Sequence, residues 1–163
     1  MLTVDRLLQR LLGPAVDSLV REALDELGVD QLYRYRVHGD RSRLHLDPTA
    51  VVNNALFNLS SGNISIGRYA FFGHNVAVLT GTHDIHLFGQ QRQTAIPSLG
   101  RDVVVEEGAW VASDALVLGP CTIGAHAVVG AGSLVMADVD PYAVVAGRPA
   151  KKLRSVEPSQ DPS

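Results

Sequence analysis

The sequence predicts an all-β fold, a parallel β-helix built from six-residue repeats, and three observations lead to this prediction. First, an aliphatic residue recurs at every sixth position, at Leu99, Val105, Val111, Val117, Ile123, Val129 and Val135. Second, a residue of restricted type follows four positions after each of the last six, at Ala109, Ala115, Cys121, Ala127, Ser133 and Val139. Third, a period of six fits neither an α-helix, which repeats every 3.6 residues, nor a simple strand, which alternates.

A six-residue period is typical of a chain that forms one side of a triangular prism with each repeat. Three sides make a coil, and a coil buries its apolar side chains only by stacking on the next coil. The six-residue spacing begins at Leu46 and Val52 and shifts by two residues near Asn58. It then returns at Ile66, Phe72 and Val78. The alternative is a β-sandwich with valine-rich strands, which the unbroken spacing disfavours.

The two ends of the chain differ from the repeats. One helical face over about 14–27 is apolar, at Val16, Leu19, Val20, Ala23, Leu24 and Leu27. Pro14 suits the first turn of this helix and Gly28 its end. We therefore expect a helical arm over residues 1–36, a β-helix over 44–154 with an extruded loop at 79–98, and a flexible tail over 155–163. The arm would cover the first coil or a neighbouring subunit.

Composition excludes several classes of protein. The 163 residues are 46% hydrophobic and carry a formal net charge of −3, which disfavours both disorder and an electrostatic nucleic-acid binder. Cys121 is the single cysteine, so the chain has no disulfide framework. The uncharged stretch from Ala115 to Ala137 is long enough for a membrane helix, but Pro120 and several glycines interrupt it. We expect a cytoplasmic protein that does not insert into membranes.

The repeats stop between Val78 and Leu99, where a long insertion is uncommon unless it is functional. His83 in this loop is the candidate general base, because imidazole can take a proton from a hydroxyl at neutral pH. His86 is an alternative base. Asp84 could orient an imidazole, but adjacent side chains rarely meet, and we assign it to acceptor binding.

Residues 46–154 resemble the hexapeptide-repeat acyltransferases, in which the β-helix is left-handed. The run Gly73-His74-Asn75-Val76 through Leu79-Thr80-Gly81-Thr82-His83-Asp84 is similar to sugar O-acetyltransferases of the galactoside and maltose type. The resemblance implies that His83 is the catalytic base. The extra residue Thr82 between glycine and histidine keeps His86 as a rival.

Two further segments carry this resemblance, and both imply a site for coenzyme A. Gly108-Ala109-Trp110-Val111-Ala112-Ser113 is similar to the family segment in which the tryptophan lines the pantetheine channel and the serine N–H faces the thioester oxygen. The closing segments 129–135 and 140–154 are similar to the closing coil of the family's coenzyme A-dependent members. The resemblance implies that Ala131 and Ser133 contact the pantetheine arm and that Lys151 and Arg154 contact the phosphates of the coenzyme. Asn53 lies roughly where these enzymes contact the acceptor.

The closing segment also agrees with the charge pattern, because Arg148, Lys151, Lys152 and Arg154 cluster in a net-acidic chain. A phosphate-rich ligand favours such a cluster, although a solvated basic stretch is the simpler interpretation of a charge run. Met136-Ala137 and Asp140-Pro141 depart from the family pattern near the adenine end.

The resemblance implies an acetyl-CoA-dependent O-acetyltransferase that acts on a sugar-like acceptor. It implies a homotrimer with active sites at subunit interfaces, without a metal. The first alternative is a metal hydratase like the γ-class carbonic anhydrases, which share the fold and hold zinc with three histidines; His74, His83 and His86 would be the ligands. The second alternative is a non-catalytic trimeric scaffold.

Overall fold

The computed structural model describes Leu12 and residues 14–20, 22–23 and 34–156. The chain divides into two compact units, Met1–Arg34 and Tyr35–Ser163. In the first unit, residues 14–20 and 22–23 are helical, within the range predicted for a helix. Leu12 is helical as well. The remaining residues of the predicted arm before residue 34, and residues 157–163 of the predicted tail, lie outside the described residues.

The described part of the second unit is a triangular β-helix whose short strands form three sheets. Sheet 1 contains β1 (Arg36–His38), β3 (Leu56–Asn58), β6 (Ala77–Leu79), β9 (Leu116–Leu118) and β12 (Leu134–Val135). Sheet 2 contains β2 (Leu44–Leu46), β4 (Ile64–Ile66), β7 (Val103–Val105) and β10 (Cys121–Ile123). Sheet 3 contains β5 (Phe71–Phe72), β8 (Trp110–Val111), β11 (Val128–Val129), β13 (Ala143–Ala146) and β14 (Lys151–Ser155).

Each strand pairs in parallel with strands of the neighbouring coils, except the last. For example, Val78 of β6 is in register with Phe57 of β3 and with Val117 of β9. The final strand, β14, turns back and pairs antiparallel with β13, with an irregularity after Val144. This hairpin ends the parallel order of sheet 3 and extends through Ser155, into the range where a flexible tail was expected.

The core of the β-helix consists of the residues that the six-residue period selects. Fully or almost fully buried aliphatic positions include Ile66, Val78, Val105, Val111, Val117, Ile123, Val129 and Val135. The second set is buried as well, at Ala109, Ala115, Cys121, Ala127, Ser133 and Val139. Because each side chain stacks on one from the next coil, a single coil could not bury these positions. The predicted parallel β-helix is therefore confirmed.

Two details of the repeat differ from the prediction. Leu99 continues the six-residue spacing in the sequence, but its side chain is 68% exposed and the coil resumes only at Val103. The phase slip begins one position before Asn58, because Phe57 occupies the core position in β3. Spacing alone does not detect either difference, since an apolar residue at the right interval also fits an exposed loop end.

At the corner between sheets 3 and 1, the turns are made by residues that tolerate the left-handed region of φ. Asn75, Asp114 and Gly132 have φ values of +57°, +60° and +66° there. Asparagine and aspartate side chains also link the coils here, because Asn54 Nδ2 donates to Asn75 Oδ1 at 2.8 Å and Asn75 Nδ2 donates to Asp114 Oδ1 at 3.2 Å. Asn and Asp adopt this conformation at lower cost than other non-glycine residues.

In the described part of the chain, no helix has both the length and the apolar character that a membrane span requires. The uncharged stretch from Ala115 to Ala137 forms β9 to β12 of the β-helix, so its lack of charge reflects coil packing.

Candidate active site

The loop that interrupts the repeats leaves the prism at the corner between sheets 1 and 2, and Thr80 holds the start of the loop in place. The buried hydroxyl of Thr80 donates to the carbonyl of Asn58 at 2.8 Å and accepts the N–H of Ser61 at 3.1 Å. From the other end of the loop, Arg101 Nε donates to the carbonyl of Thr80 at 2.9 Å. Both ends of the loop are therefore held at one point of the coil.

The loop has internal structure of its own. A six-residue helix, Gly89–Thr94, forms the distal part and is called the loop helix below. Before it, Asp84 Oδ1 accepts the backbone N–H of His86 at 2.9 Å, which makes a local turn. The Asp84 carboxylate is therefore engaged by the backbone, and no hydrogen bond joins it to the imidazole of His83 within the described residues.

His83 is exposed, and its imidazole has one hydrogen bond within the described residues, between Nδ1 and the carbonyl oxygen of Arg92 at 2.8 Å. A carbonyl oxygen only accepts, so in the neutral ring Nδ1 carries the hydrogen and Nε2 carries the lone pair. This is the tautomer that a general base needs if Nε2 is to take a proton. The side chain of His86 has no such fixed partner among the residues described.

Ser113 follows β8 at another corner, between sheets 3 and 1, which we call the Ser113 corner. Its hydroxyl accepts the N–H of His74 at 3.1 Å, and its carbonyl accepts the N–H of Gly132 at 2.9 Å. Within the part of the chain that the structure describes, the Ser113 N–H itself has no acceptor. A fixed amide donor without a partner is able to bind a developing oxyanion.

Ala131 and Ser133 lie at the same corner one coil further on. Of the two, Ala131 is the one whose backbone N–H is without an acceptor in the described residues. Ala131 is exposed, and its N–H has no acceptor among the described residues. Ser133 is buried, and its hydroxyl accepts the N–H of Gly147 at 3.2 Å. Its N–H donates to the carbonyl of Gly130, and its carbonyl accepts the N–H of Leu116. Ser133 therefore supports the turn at Gly147, and its predicted contact with coenzyme stays a prediction.

The hairpin of β13 and β14 places a group of basic side chains beside this corner. Lys151 is opposite Ala146 at the end of β13, and Arg154 is opposite Val144. Lys152 pairs with Asp140 at 3.4 Å, whereas Lys151 and Arg154 are exposed and have no carboxylate partner in the described ranges. The two unpaired cations are therefore free to bind an anion.

Trp110 and Asn53 complete the predicted set. The indole of Trp110 faces outward from sheet 3, is 43% exposed, and stacks on Phe71 with ring centroids 5.7 Å apart. Asn53 lies at the Ser113 corner in the first coils, with φ +45°, and its Nδ2 donates to the carbonyl of Phe72 at 2.6 Å. Its side-chain oxygen is left without a donor in the described structure.

The topology thus divides the predicted residues into two groups. One group lies along the Ser113 corner, where successive coils are about 4.8 Å apart. In chain order its members are Asn53, Ser113, Ala131 and Lys151. The loop with His83 and Asp84 leaves a different corner, on the other side of sheet 1. In the described residues no three His, Cys, Asp or Glu side chains form a group that could hold a metal ion, so the three-histidine hypothesis gains no support from this geometry.

Comparison with known proteins tests the predicted family. Residues 102–137 match the family model described as bacterial transferase hexapeptide (six repeats). The chain is 32% identical over 145 residues to galactoside O-acetyltransferase from Lactococcus lactis, covering 87% of this chain and 68% of that protein. The chain belongs to the hexapeptide-repeat acetyltransferase family. The predicted family is confirmed.

The fold of the family agrees as well. A solved structure of galactoside acetyltransferase in complex with coenzyme A superimposes with a TM-score of 0.62 at 20% identity, covering 78% of this chain and 63% of that chain. At this identity the likeness shows the fold, and the predicted left-handed parallel β-helix is confirmed.

Other members of the family are much longer than this chain. Serine acetyltransferase 2 from Arabidopsis thaliana is 36% identical over 120 residues, which is 74% of this chain but 35% of that protein. Three of the curated relatives that the chain matches are covered over only 32% to 44% of their own length. Similarity to these longer members is therefore confined to the β-helix region.

Two contacts of this hexapeptide-repeat site were not predicted from the sequence. The sequence contains Arg92 in the loop, but nothing in its spacing indicates that its carbonyl would accept from His83 nine positions earlier. Phe71 precedes a core position, and its pairing with Trp110 follows only from the register of β5 with β8. If the loop is left out and the coils before and after it are aligned, Phe71 and Trp110 fall at the same position. This alignment could have predicted their contact from the sequence.

Proposed function

We propose that this chain catalyses transfer of the acetyl group of acetyl-CoA to a hydroxyl of a sugar or sugar-like acceptor. Nε2 of His83 takes the hydroxyl proton as the oxygen attacks the thioester carbonyl. The new C–O bond forms, the C–S bond breaks, and the sulfur leaves as the thiolate of CoA, which takes up the proton from the imidazolium. The products are the acetyl ester and CoA, without a covalent intermediate on the protein.

The hydrogen bond between His83 Nδ1 and the Arg92 carbonyl carries this proposal. It leaves Nε2 as the only proton acceptor of the neutral ring. Within the part of the chain that is described, no comparable contact constrains the ring of His86, and its backbone is engaged in the turn at Asp84. The geometry therefore favours His83 over His86, and it favours a local structural role for Asp84 over orientation of the base.

The Ser113 corner supports binding of the coenzyme. The N–H groups of Ser113 and Ala131 lie one coil apart and have no acceptors in the described structure, so they are suited to the thioester oxygen and the pantetheine amide groups. Lys151 and Arg154 would bind the phosphates, with the indole of Trp110 beside the channel. Bound at this corner, the coenzyme supplies the acetyl group as its thioester.

A second copy of the chain would complete the site, because the loop and the Ser113 corner leave the prism at different places. Two faces are suited to contact with another copy. Sheet 3 presents outward-facing apolar side chains at Val51, Phe71, Trp110 and Val128, and sheet 1 does so at Leu56, Ala77, Leu116 and Leu134. A ring that joins two different faces is a heterologous cyclic assembly, and three copies of a triangular prism close such a ring.

A sugar-like acceptor is preferred because galactoside O-acetyltransferase is covered over 68% of its length, whereas serine acetyltransferase 2 is covered over 35%. Asn53 would contact this acceptor, with Asp84 as a second candidate. Serine is the competing acceptor, since serine acetyltransferases also match. The metal hydratase and the non-catalytic scaffold have no comparable observation in their favour.

The test measures release of CoA from acetyl-CoA with a thiol reagent, with galactosides, maltose and serine as acceptors. His83→Gln should lower kcat by at least about 100-fold, because a general base contributes this much, while CoA still binds. His86→Gln is the matched control and should keep kcat. Equal activity of His83→Gln and the native protein would refute the assignment, and acetylation of serine alone would refute the sugar acceptor.

A further inference from the structure

We infer that Arg92 is a positioning residue for His83, a role that rests on the function proposed above. The backbone carbonyl of Arg92 accepts the Nδ1 hydrogen of His83, and the side chain of the same residue fixes where that carbonyl lies. One residue thus links the tautomer of the base to the structure of the loop.

The guanidinium of Arg92 bonds back to the segment between His83 and the loop helix. Its Nε donates to the carbonyl of Leu87 at 2.5 Å, and its Nη2 donates to the carbonyl of Ile85 at 3.1 Å. The Cζ of Arg92 also lies 4.7 Å from the ring centroid of Phe88, within the range of a cation–π contact. These three contacts tie the loop helix to residues 85–88.

Among the described residues, few other contacts hold the loop helix itself in place, although Arg43 Nη1 donates to the carbonyl of Ser98 at 2.7 Å further along the loop. It has six residues, contains no buried side chain, and has no side-chain hydrogen bond at its N-cap, Phe88. Helices of this length are unstable without tertiary contacts. The bond from Asp84 N–H to the carbonyl of Ala95, at 3.4 Å, is long. The position of the Arg92 carbonyl therefore depends on the Arg92 side chain.

The chemistry requires arginine at this position. The guanidinium directs two donors to two carbonyls from a single plane, whereas a lysine ammonium is a flexible point charge that cannot fix both. Within the described ranges Arg92 has no carboxylate partner, so its donors serve the backbone of the loop. In the absence of these contacts we expect the loop helix to move and the His83 ring to populate both tautomers.

The test compares Arg92→Lys and Arg92→Ala with Arg68→Lys. Arg68 is a matched control, because its guanidinium also has a hydrogen-bond acceptor and a ring contact. It donates to Glu107 at 2.9 Å and lies 5.4 Å from the Tyr69 ring centroid, at the corner between sheets 2 and 3. Arg92→Lys keeps the charge, so it separates loss of the directed bonds from loss of charge.

Two readouts separate positioning from general stability. Arg92→Lys should lower kcat by about 10-fold to 100-fold with the KM for acetyl-CoA unchanged, because misplacement of a catalytic group by about 1 Å has effects of this size. The nitrogen-15 shifts of the His83 ring should change from a single Nδ1–H tautomer to a mixture. Arg68→Lys should alter neither quantity.

The inference is refuted if Arg92→Lys and Arg92→Ala both keep kcat and the single tautomer. The NMR measurement needs no acceptor, so its outcome is independent of the proposed reaction. If the native protein acetylates nothing, the proposed function fails, while a change of tautomer in Arg92→Lys still supports the link between Arg92 and His83 and an unchanged tautomer refutes it.

Discussion

Replacement of Gly73 by alanine tests how closely the coils pack beneath the candidate site. Gly73 begins the turn after β5, and its N–H donates to the carbonyl of Val111 at 2.8 Å. A methyl group at this position would lie 2.4 Å from both the backbone N and the hydroxyl oxygen of Ser113. Carbon and these atoms need at least about 3.4 Å, so the neighbouring coil must move by about 1 Å.

The magnitude follows from this displacement. Overpacking of a well-packed interior costs about 1–3 kcal/mol. The shift would also weaken the hydrogen bonds that join the two coils here, including His74 N–H to Ser113 Oγ at 3.1 Å, and one such bond contributes about 1 kcal/mol. We therefore expect Gly73→Ala to lower the free energy of unfolding by about 2–4 kcal/mol. Because the Ser113 N–H moves with its coil, acetyl transfer should fall as well.

The assay is urea denaturation at one fixed protein concentration, with Gly100→Ala as control. Gly100 has φ +90° and nothing within 4 Å of an added methyl group, so alanine at this position introduces backbone strain but no steric clash. Its cost should be about 1 kcal/mol, the typical penalty for a left-handed residue. If Gly73→Ala unfolds at the same urea concentration as Gly100→Ala or the native protein, the steric argument for coil packing is wrong.

Two further predictions concern the basic hairpin and the buried thiol. Lys151→Gln and Arg154→Gln should each raise the Kd for CoA about 10-fold and reduce its salt dependence, measured by titration calorimetry; an unchanged Kd would remove these residues from the phosphate site. Burial raises the pKa of the Cys121 thiol to about 11, so an alkylating reagent at pH 8 should label it only after unfolding. Since the unfolded thiol ionises at lower pH, stability should fall between about pH 8.5 and 11, and Cys121→Ser should flatten this dependence.

Much of the fold could be predicted from the sequence because the same physical requirement recurs every six residues. Val117, Ile123 and Val129 each fill one inward position of a coil, and Ala115 and Ala127 fill the narrower position beside it. These constraints are local and repeated, so they leave a period in the sequence. The exposed Leu99 marks the limit of this signal, because an apolar residue outside the coil can match the spacing by chance.

The spacing and motifs of the chain were enough to predict the β-helix, the place of the interrupting loop and the candidates His83 and Ser113. The folded structure was needed to show which nitrogen of His83 is free, because that depends on the Arg92 carbonyl, which the loop brings to the ring. It also decided that Ser133 serves the turn at Gly147, since coil stacking buries its hydroxyl. Such contacts join positions with no fixed spacing, so no sequence period records them.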